Sequence, residues 1–382
     1  MHLRLLITLL LALTLAACGG TPKRELPVDD LPDTQAGLRV DTVWSANAGR
    51  GIHSVGDALV LAVRDDRVYV ADRRGRIGAW RLDDGRRLSR TRTGLPVSGG
   101  PAVSEDLIVV GTRDGRVTAI NADSEETLWE ARVSSEVLSV PAISDNSVYV
   151  LSGDGRLYAF RRDTGARRWT YDRPMPPLTL RGTSSPVLVR DWVLAGLPNG
   201  RLVAVNRRDG SMAWEVDVGI ASGTSDLERM RDVVGDPVLH GDEVFVVGYR
   251  GRALSLDLQH GRTSWNRDLS SYSGLAVDDE RVYITEANGR VWAVDRHTGA
   301  AVWRQDDLEG IRGSAPVAVG DVVAVGDDRG RLTLLDTGNG ELLARVSLER
   351  KGSISRAPVV IGDDLLVLTD GGRLLRLSLS RR

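Results

Sequence analysis

Few side chains of this chain could do catalytic or metal chemistry, and their spacing does not group them. The five histidines are His2, His53, His240, His260 and His297. None stands at a metal-ligand spacing from another histidine or from a cysteine. No nucleophile elbow, phosphate-binding loop or dinucleotide-binding glycine motif occurs, and paired aspartates such as Asp65-Asp66 fall in predicted turns, where they are common without calcium. The sequence therefore predicts no catalytic residue, no metal site and no bound cofactor.

Arginine is the one functional group that recurs at a regular spacing. It follows glycine eight times in similar surroundings, in steps of 40, 40, 45, 51, 38, 41 and 42 residues. The pairs are Gly75-Arg76, Gly115-Arg116, Gly155-Arg156, Gly200-Arg201, Gly251-Arg252, Gly289-Arg290, Gly330-Arg331 and Gly372-Arg373. Eight arginines on one rim would suit an anion, but an arginine directly after a tight turn is usually solvated, and we favour that simpler interpretation.

The same repeat predicts the architecture. Steps near forty residues are typical of propeller blades, and each unit contains four short apolar strands separated by turn residues. Two of these strands are joined by pairs that favour a type I′ hairpin turn, at Asp114-Gly115, Asp154-Gly155, Asn199-Gly200 and Asn288-Gly289. We therefore predict an all-β, eight-bladed β-propeller of four-stranded antiparallel blades.

A tryptophan usually stands four residues after the second turn of a unit. The positions are Trp129, Trp169, Trp214, Trp265 and Trp303. An aromatic cage would need these rings to converge, whereas equal spacing in successive blades favours large wedges packed between blades. We adopt the wedge interpretation.

The two ends of the chain complement each other. The last unit stops without a fourth strand, while residues 39–46 form a strand-like segment with a tryptophan, Trp44, before the first unit begins. We predict that this segment completes the last blade and leaves no open sheet edge. Residues 39–382 would then form a single propeller domain.

The first residues predict export and lipidation. Met1-His2-Leu3-Arg4 precedes an apolar run that ends at Ala17 and is too short for a permanent membrane helix. Cys18, the single cysteine, follows in a context that resembles the lipobox of bacterial lipoproteins, where cleavage precedes a diacylated cysteine. We expect a signal peptide over 1–17, then the lipidated Cys18 and a flexible tether over 18–38. Gly19 lacks the aspartate that retains many lipoproteins in the inner membrane, so the resemblance implies an anchor on the periplasmic side of the outer membrane.

Composition argues against nucleic-acid binding. Fifty lysines and arginines face 52 aspartates and glutamates, for a formal net charge of −2 at pH 7. Basic pairs such as Arg161-Arg162 and Arg207-Arg208 are scattered through turns beside carboxylates. Solvated loop residues account for them without a polyanion.

Two neighbouring repeats are longer than the others, and strand alternation puts their extra residues on one rim. The first insertion contains three prolines that stiffen it, two apolar anchors and a fork-shaped donor. Those last three side chains are Leu178, Leu180 and Arg181. The second insertion contains a capping box, Ser225-x-x-Glu228, that predicts a short helix. From the residues alone, the insertions either bind a partner or fold back onto the blade tops.

The repeat motif also suggests an enzyme. The segment from Val291 to Trp303 resembles the blades of pyrroloquinoline quinone dehydrogenases, which makes a quinoprotein dehydrogenase the rival function. Those enzymes typically hold their cofactor beneath a disulfide of adjacent cysteines, and this chain has no cysteine besides Cys18. We therefore expect no quinone cofactor and no enzyme activity.

A second resemblance covers essentially the whole mature chain. The lipobox, the eight blades and the Leu-x-Leu-Arg-Gly-x-Ser-x-Pro stretch from Leu178 together resemble the propeller lipoproteins of the outer-membrane β-barrel assembly machinery. The resemblance implies a non-catalytic scaffold that binds the periplasmic domains of BamA and, through BamA, the rest of the complex, and that assists insertion of β-barrel proteins. The contact residues that it implies are Leu178, Leu180, Arg181 and Asp232. A second acid of the family pattern is Val234 here, and Asp236 is the candidate substitute. Peptide or sugar recognition in the central channel and direct pairing with unfolded client strands at blade edges remain open alternatives.

Overall fold

Each forty-residue repeat folds as one antiparallel sheet in the computed structural model, which describes residues 33–52, 56–176, 178–180, 184–220 and 231–381. Two strands come first, β1 (Leu38–Asn47) and β2 (Ala58–Leu59). Blade 1 comprises β3 (Leu61–Arg64), β4 (Arg67–Ala71), β5 (Arg76–Arg81) and β6 (Arg87–Arg92), and blade 2 comprises β7 (Val97–Ser104), β8 (Leu107–Thr112), β9 (Arg116–Asn121) and β10 (Thr127–Arg132). Blade 3 comprises β11 (Ala142–Ile143), β12 (Ser147–Leu151), β13 (Leu157–Arg161) and β14 (Arg167–Tyr171), and blade 4 comprises β15 (Val187–Val189), β16 (Trp192–Gly196), β17 (Arg201–Asn206) and β18 (Met212–Asp217). Blade 5 comprises β19 (Val238–His240), β20 (Glu243–Val247), β21 (Ala253–Asp257) and β22 (Thr263–Arg267), and blade 6 comprises β23 (Leu275–Val277), β24 (Arg281–Thr285), β25 (Val291–Asp295) and β26 (Ala301–Gln305). Blade 7 comprises β27 (Val317–Val319), β28 (Val322–Gly326), β29 (Arg331–Asp336) and β30 (Leu342–Ser347), and blade 8 contains β31 (Val359–Ile361), β32 (Asp364–Leu368) and β33 (Arg373–Arg381).

Strand order confirms the predicted eight-bladed β-propeller. Neighbours in sequence are neighbours in each sheet, and the short β2 adds a parallel fifth strand beside β7 of blade 2. The second strand of a blade is buried along its length, as in β8, because both of its faces pack against adjacent blades. The apolar core is thus divided among the seams between blades. Among the described residues no helix has the length and apolarity that a membrane span requires.

The predicted closure of the ring by the N-terminal strand is also confirmed. β1 pairs antiparallel with β33, from Leu38 opposite Arg381 to Asn47 opposite Arg373, and completes blade 8. The residues before β1 reach the neighbouring blade, since the Thr34 N–H donates to the Arg345 carbonyl at 2.9 Å. The N-terminal segment therefore belongs to two blades at once.

The turns between second and third strands differ from the predicted type. A type I′ turn needs positive φ at both central residues. Among the four predicted turns only the glycines meet this condition, with φ of 75° at Gly115, whereas Asp114 and its counterparts Asp154, Asn199 and Asn288 do not. The Gly115 N–H donates to the Thr112 carbonyl at 3.2 Å, so one more residue, Arg113, belongs to the loop. The type I′ prediction was wrong, and the loop is a type I turn followed by a left-handed glycine.

Tryptophan wedges hold neighbouring blades together, as predicted. Each ring lies over the turn glycine of the next blade, and its indole N–H donates to a carbonyl of that turn; for Trp214 the acceptor is Leu258 O at 3.0 Å. Trp44, Trp129, Trp169, Trp214, Trp265 and Trp303 donate to the carbonyls of Leu82, Arg162, Arg207, Leu258, Arg296 and Thr337, respectively. In blades 1 and 7 the same register position holds Ser89 and Ala344.

Candidate partner-binding rim

The two insertions lie on the rim that carries the Gly-Arg turns. The first, residues 172–186, covers the hairpin turn of blade 3, where Met175 Sδ lies 2.5 Å from the place that a Cβ on Gly155 would occupy. In the second, residues 218–237, the described residue Arg231 covers the turn of blade 4, and its Cγ lies 2.8 Å from the corresponding place on Gly200. The prediction that both insertions share one rim is confirmed. We call these two segments together the insertion rim.

Asp232 joins the two insertions from beneath the surface. Its side chain is fully buried, and Oδ2 accepts a hydrogen bond from the backbone N–H of Leu180 in the other insertion. The Asp232 carbonyl in turn accepts the N–H of Tyr249 in blade 5 at 2.8 Å. Burial raises the pKa of the Asp232 carboxyl to about 7, although the Leu180 N–H opposes this shift. The buried carboxyl therefore positions the first insertion instead of facing a partner.

The predicted contact residues of the first insertion are placed unequally. Leu178 is 42% exposed, which is high for a large apolar side chain, and Leu180 is half-buried. Arg181 lies outside the described residues, as does the predicted helix at Ser225-x-x-Glu228. The structure thus brings Leu178, Leu180 and Asp232 together.

Asp236 makes a second link of the same kind. Its Oδ1 accepts the backbone N–H of Ser185, near the end of the first insertion, at 2.5 Å. The Asp236 side chain is exposed to solvent, in contrast to the buried Asp232. Val234, between the two acids, is half-buried. Two carboxyl groups of the second insertion therefore fix the backbone of the first.

An ion network that the sequence analysis missed borders the first insertion. Arg173 Nε lies 2.9 Å from the Tyr171 hydroxyl and 3.6 Å from a Glu215 carboxylate oxygen. Glu215 also pairs with Arg201, whose Nε lies 3.0 Å from Asp217. Arg201 follows Gly200 in the repeat, and Asp217 is its direct partner across the strands, so the register of the hairpin would have revealed this pair.

Aromatic rings extend the rim beyond the predicted residues. Tyr249 and Tyr272, on the connections beside the second insertion, stack with centroids 4.4 Å apart, and the guanidinium of Arg250 lies 5.6 Å from the Tyr249 ring centre. Tyr272 and Ile220 are more than one third exposed. Tyr249, Tyr272 and Ile220 do not recur at a fixed position of each repeat, so the repeat pattern does not predict them.

The eight repeated arginines do not converge on one site. Most of them pair with an aspartate of their own blade or of the connection that follows it. The pairs and distances are Arg76–Asp72 3.7 Å, Arg116–Asp114 2.9 Å, Arg156–Asp172 3.0 Å, Arg201–Asp217 3.0 Å, Arg290–Asp306 3.2 Å and Arg331–Asp327 3.1 Å. These arginines form ion pairs that stabilise turns in separate blades, whereas we predicted that they would only be solvated. Within the described residues, no three acidic, histidine or cysteine side chains group as metal ligands.

Comparison with known proteins finds relatives along nearly the whole chain. Residues 73–305 and 296–381 match a family described as outer membrane protein assembly factor BamB. The assembly factor BamB of Alkalilimnicola ehrlichii is 52% identical over 90% of this chain and 88% of its own length. The proteins of that name from Pseudomonas aeruginosa and Escherichia coli are 43% and 32% identical, over 90% and 91% of this chain and 90% and 92% of their own lengths.

Solved structures agree with these relatives. BamB from Moraxella catarrhalis superposes with a TM-score of 0.82 at 25% identity, covering 89% of this chain and 100% of that one. A quinohemoprotein alcohol dehydrogenase from Pseudomonas putida reaches a TM-score of 0.71 at 14% identity, over 89% of this chain and 76% of the enzyme. The likeness to the enzyme concerns the fold alone, since the curated relatives named above are assembly factors.

Proposed function

Because this chain belongs to the family of outer membrane protein assembly factor BamB, we propose that it serves outer-membrane protein assembly as a non-catalytic scaffold that binds BamA through the insertion rim. Its curated relatives are assembly factors and not enzymes, as predicted from the lack of catalytic motifs, and the quinoprotein alternative is not favoured. BamA would link the propeller to the rest of the assembly complex.

One observation carries the proposed contact: Leu178 is exposed on a backbone that is already fixed. Prolines precede Leu178 in the sequence, and two residues after it the backbone N–H of Leu180 donates a hydrogen bond to the Asp232 carboxyl group. An apolar anchor on a rigid segment loses little conformational entropy when it enters a partner's pocket. Arg181 would add a charged fork next to the anchor, and Asp232 would act as a positioning residue.

A pull-down of BamA with the combined variant Leu178→Ala, Leu180→Ala and Arg181→Ala tests this interface. We expect capture to fall at least tenfold, because truncating two apolar anchors and an arginine at an interface removes more than about 1.4 kcal/mol. A matched control is Leu88→Ala, Leu128→Ala and Arg132→Ala, which truncates exposed residues of the same types on the outer strands of blades 1 and 2. Equal capture by a folded rim variant and by the control would remove the proposed interface.

We further propose that residues 1–17 are a removed signal peptide and that Cys18 carries the lipid anchor on the periplasmic side of the outer membrane, with 18–38 as tether and 39–382 as propeller. Two or more acyl chains bury enough methylene groups for stable anchoring. Cys18→Ser should therefore lose incorporation of a labelled fatty acid and move from the membrane fraction to the soluble fraction. Gly20→Ser, two residues away, should retain both properties; label on the Cys18→Ser chain would contradict the anchor.

A further inference from the structure

A hollow at the seam between blades 8 and 1 is lined mainly by basic side chains. It encloses about 410 Å³ between the end of β1 and the outer strand β6. Its lining consists of Arg50, Arg76, Arg87, Arg90, Asn47 and Gly49. In a ring of eight blades this seam lies across from the insertion rim, which belongs to blades 3 to 5. The hollow is therefore separate from the proposed contact with BamA.

The guanidinium groups of the hollow have little opposing charge. Asp72 Oδ2 lies 3.7 Å from Arg76 Nε. In the part of the chain that the structure describes, no carboxylate oxygen lies within 4 Å of the guanidinium nitrogens of Arg50, Arg87 or Arg90, unlike those of the arginines paired in the other blades. Residues 49–96 contain eleven arginines against six aspartates, without lysine or glutamate, in a chain whose formal net charge is −2. Positive charge is thus concentrated in blade 1 and the connection before it.

Asp72 is engaged inside the protein and fixes the backbone beneath the hollow. It is 1% exposed, and its Oδ2 accepts the N–H of Arg50 at 3.0 Å. Its Oδ1 accepts the N–H groups of Arg74 and Arg76 at 2.9 and 3.1 Å. These bonds join the connection after β1 to the hairpin turn of blade 1, so Arg50 and Arg76 are held side by side before any ligand arrives.

Strand β6 supplies the remaining two arginines. Ser89 and Thr91 line the seam toward blade 2. Because successive side chains of a strand point to opposite faces, Arg90 lies toward blade 8, and a bulge opposite Trp80 brings Arg87 into the same hollow. Four arginines from three segments of the chain therefore converge.

We propose that this hollow binds a phosphate-bearing anion, either a soluble phosphate compound or the phosphorylated headgroup of a lipid. Guanidinium forks match phosphate oxygens bidentately, and the volume falls within the range of small-molecule sites. Convergence of four positive charges suits a ligand with more than one negative charge, such as a pyrophosphate or a phosphate monoester.

Isothermal titration of the full chain in nonionic detergent tests the site with two probes: inorganic pyrophosphate, and dihexanoyl phosphatidate, a short lipid that ends in a phosphate monoester. We expect both affinities to fall at least tenfold in Arg87→Gln/Arg90→Gln and to weaken as salt is added. Arg132→Gln/Arg167→Gln removes two exposed arginines from the outer strands of blades 2 and 3 and should leave binding unchanged. Thermal midpoints of both double variants establish that they are folded.

The two probes separate the sources of the ligand. Binding of phosphatidate alone assigns a lipid headgroup, binding of pyrophosphate alone assigns a soluble phosphate, and binding of both supports a general phosphate site. Dihexanoyl phosphatidylcholine, which lacks the monoester, should not bind. The proposal is overturned if the wild-type chain binds neither probe, or if Arg87→Gln/Arg90→Gln binds as well as wild type.

Discussion

Asp232 holds a surface loop with a carboxyl group that water does not reach. Among the described residues, only the Leu180 N–H donates a hydrogen bond to this carboxyl group and so compensates for its lost hydration. The second carboxyl oxygen, Oδ1, has no hydrogen-bond partner among them. The neutral acid is therefore favoured, and its pKa rises from 3.8 to about 7 on folding. Between these values the folded chain binds more protons than the unfolded chain. Stability is then greatest at low pH and is lost as pH rises toward 7.

This titration predicts how Asp232→Asn behaves. Asparagine keeps an oxygen for the Leu180 N–H but does not ionise. We expect the variant to have a higher thermal midpoint than wild type at pH 8, and the difference to shrink at pH 5. One pKa unit corresponds to about 1.4 kcal/mol, so the gain at pH 8 is on the order of a few kcal/mol.

A control of opposite sign is Asp209→Asn. Hydrogen bonds from Ser211 lower the pKa of this exposed turn carboxyl, so its ionised form is the stabilising one. Asp209→Asn should not raise the midpoint at pH 8. Parallel pH profiles for wild type and Asp232→Asn would contradict the raised pKa.

At the scale of the blade, the seam between blades 1 and 2 is one of two seams that lack the tryptophan wedge. Ser89 stands where a tryptophan would wedge against blade 2, and only about 10 Å³ of free space, room for one water, lies beside it. The opposing turn is also irregular, because Glu125 has a φ of 61° where other blades have glycine. A left-handed conformation costs a residue with a Cβ about 1 kcal/mol. The seam between blades 1 and 2 is therefore weaker than its neighbours.

Restoring the wedge should stabilise the ring. Ser89→Trp with Glu125→Gly removes the Glu125 side chain from the seam, places an indole over the facing turn as in the other blades, supplies an indole N–H to that turn and relieves the strained φ. We expect the free energy of unfolding in urea to rise by about 1 to 3 kcal/mol. As the reciprocal control, Trp214→Phe removes the bond to Leu258 O and should lower it by about 1 to 3 kcal/mol. A lower urea midpoint for the double variant would mean that the seam does not accept an indole.

The repeated elements were predictable from the sequence, and the contacts between unlike segments were not. Spacing of Gly-Arg pairs and tryptophans located every blade, since each blade repeats the same turn chemistry. The dipeptide Asp114-Gly115 did not reveal its turn type, because a loop longer by one residue also uses a left-handed glycine. The bond from Leu180 to Asp232 and the approach of Arg50 to Arg90 depend on how different blades are juxtaposed. No local pattern encodes those distances.

The whole ring depends on a strand from the other end of the chain. β1 pairs with β33, its Trp44 seals the seam to blade 1, and Thr34 just before it pairs with Arg345 of blade 7. Loss of this segment would expose an edge of β33 and open two seams. The propeller should therefore unfold cooperatively from this point.

Truncation tests that dependence. A chain that begins at Gly49 lacks β1, and we expect its thermal midpoint to fall by roughly 10 °C or more, because each kcal/mol is worth about 2 to 4 °C in a large domain. A chain that begins at Asp33 keeps β1 and the Thr34 pairing and should melt like the mature protein. Equal midpoints for the two truncations would show that ring closure contributes little.

The partnership of β1 with β33 also has a consequence for biogenesis. Ribosomes make the amino terminus first, so Leu38 emerges 343 residues before its partner Arg381. At about 5 to 20 residues per second this interval lasts roughly 20 to 70 s. Blades 1 to 7 already possess all their strands when the final residues appear. Blade 8 is thus completed when β33, the last strand made, pairs with β1, the first. Until then β1 has no partner strand and is accessible to chaperones and proteases.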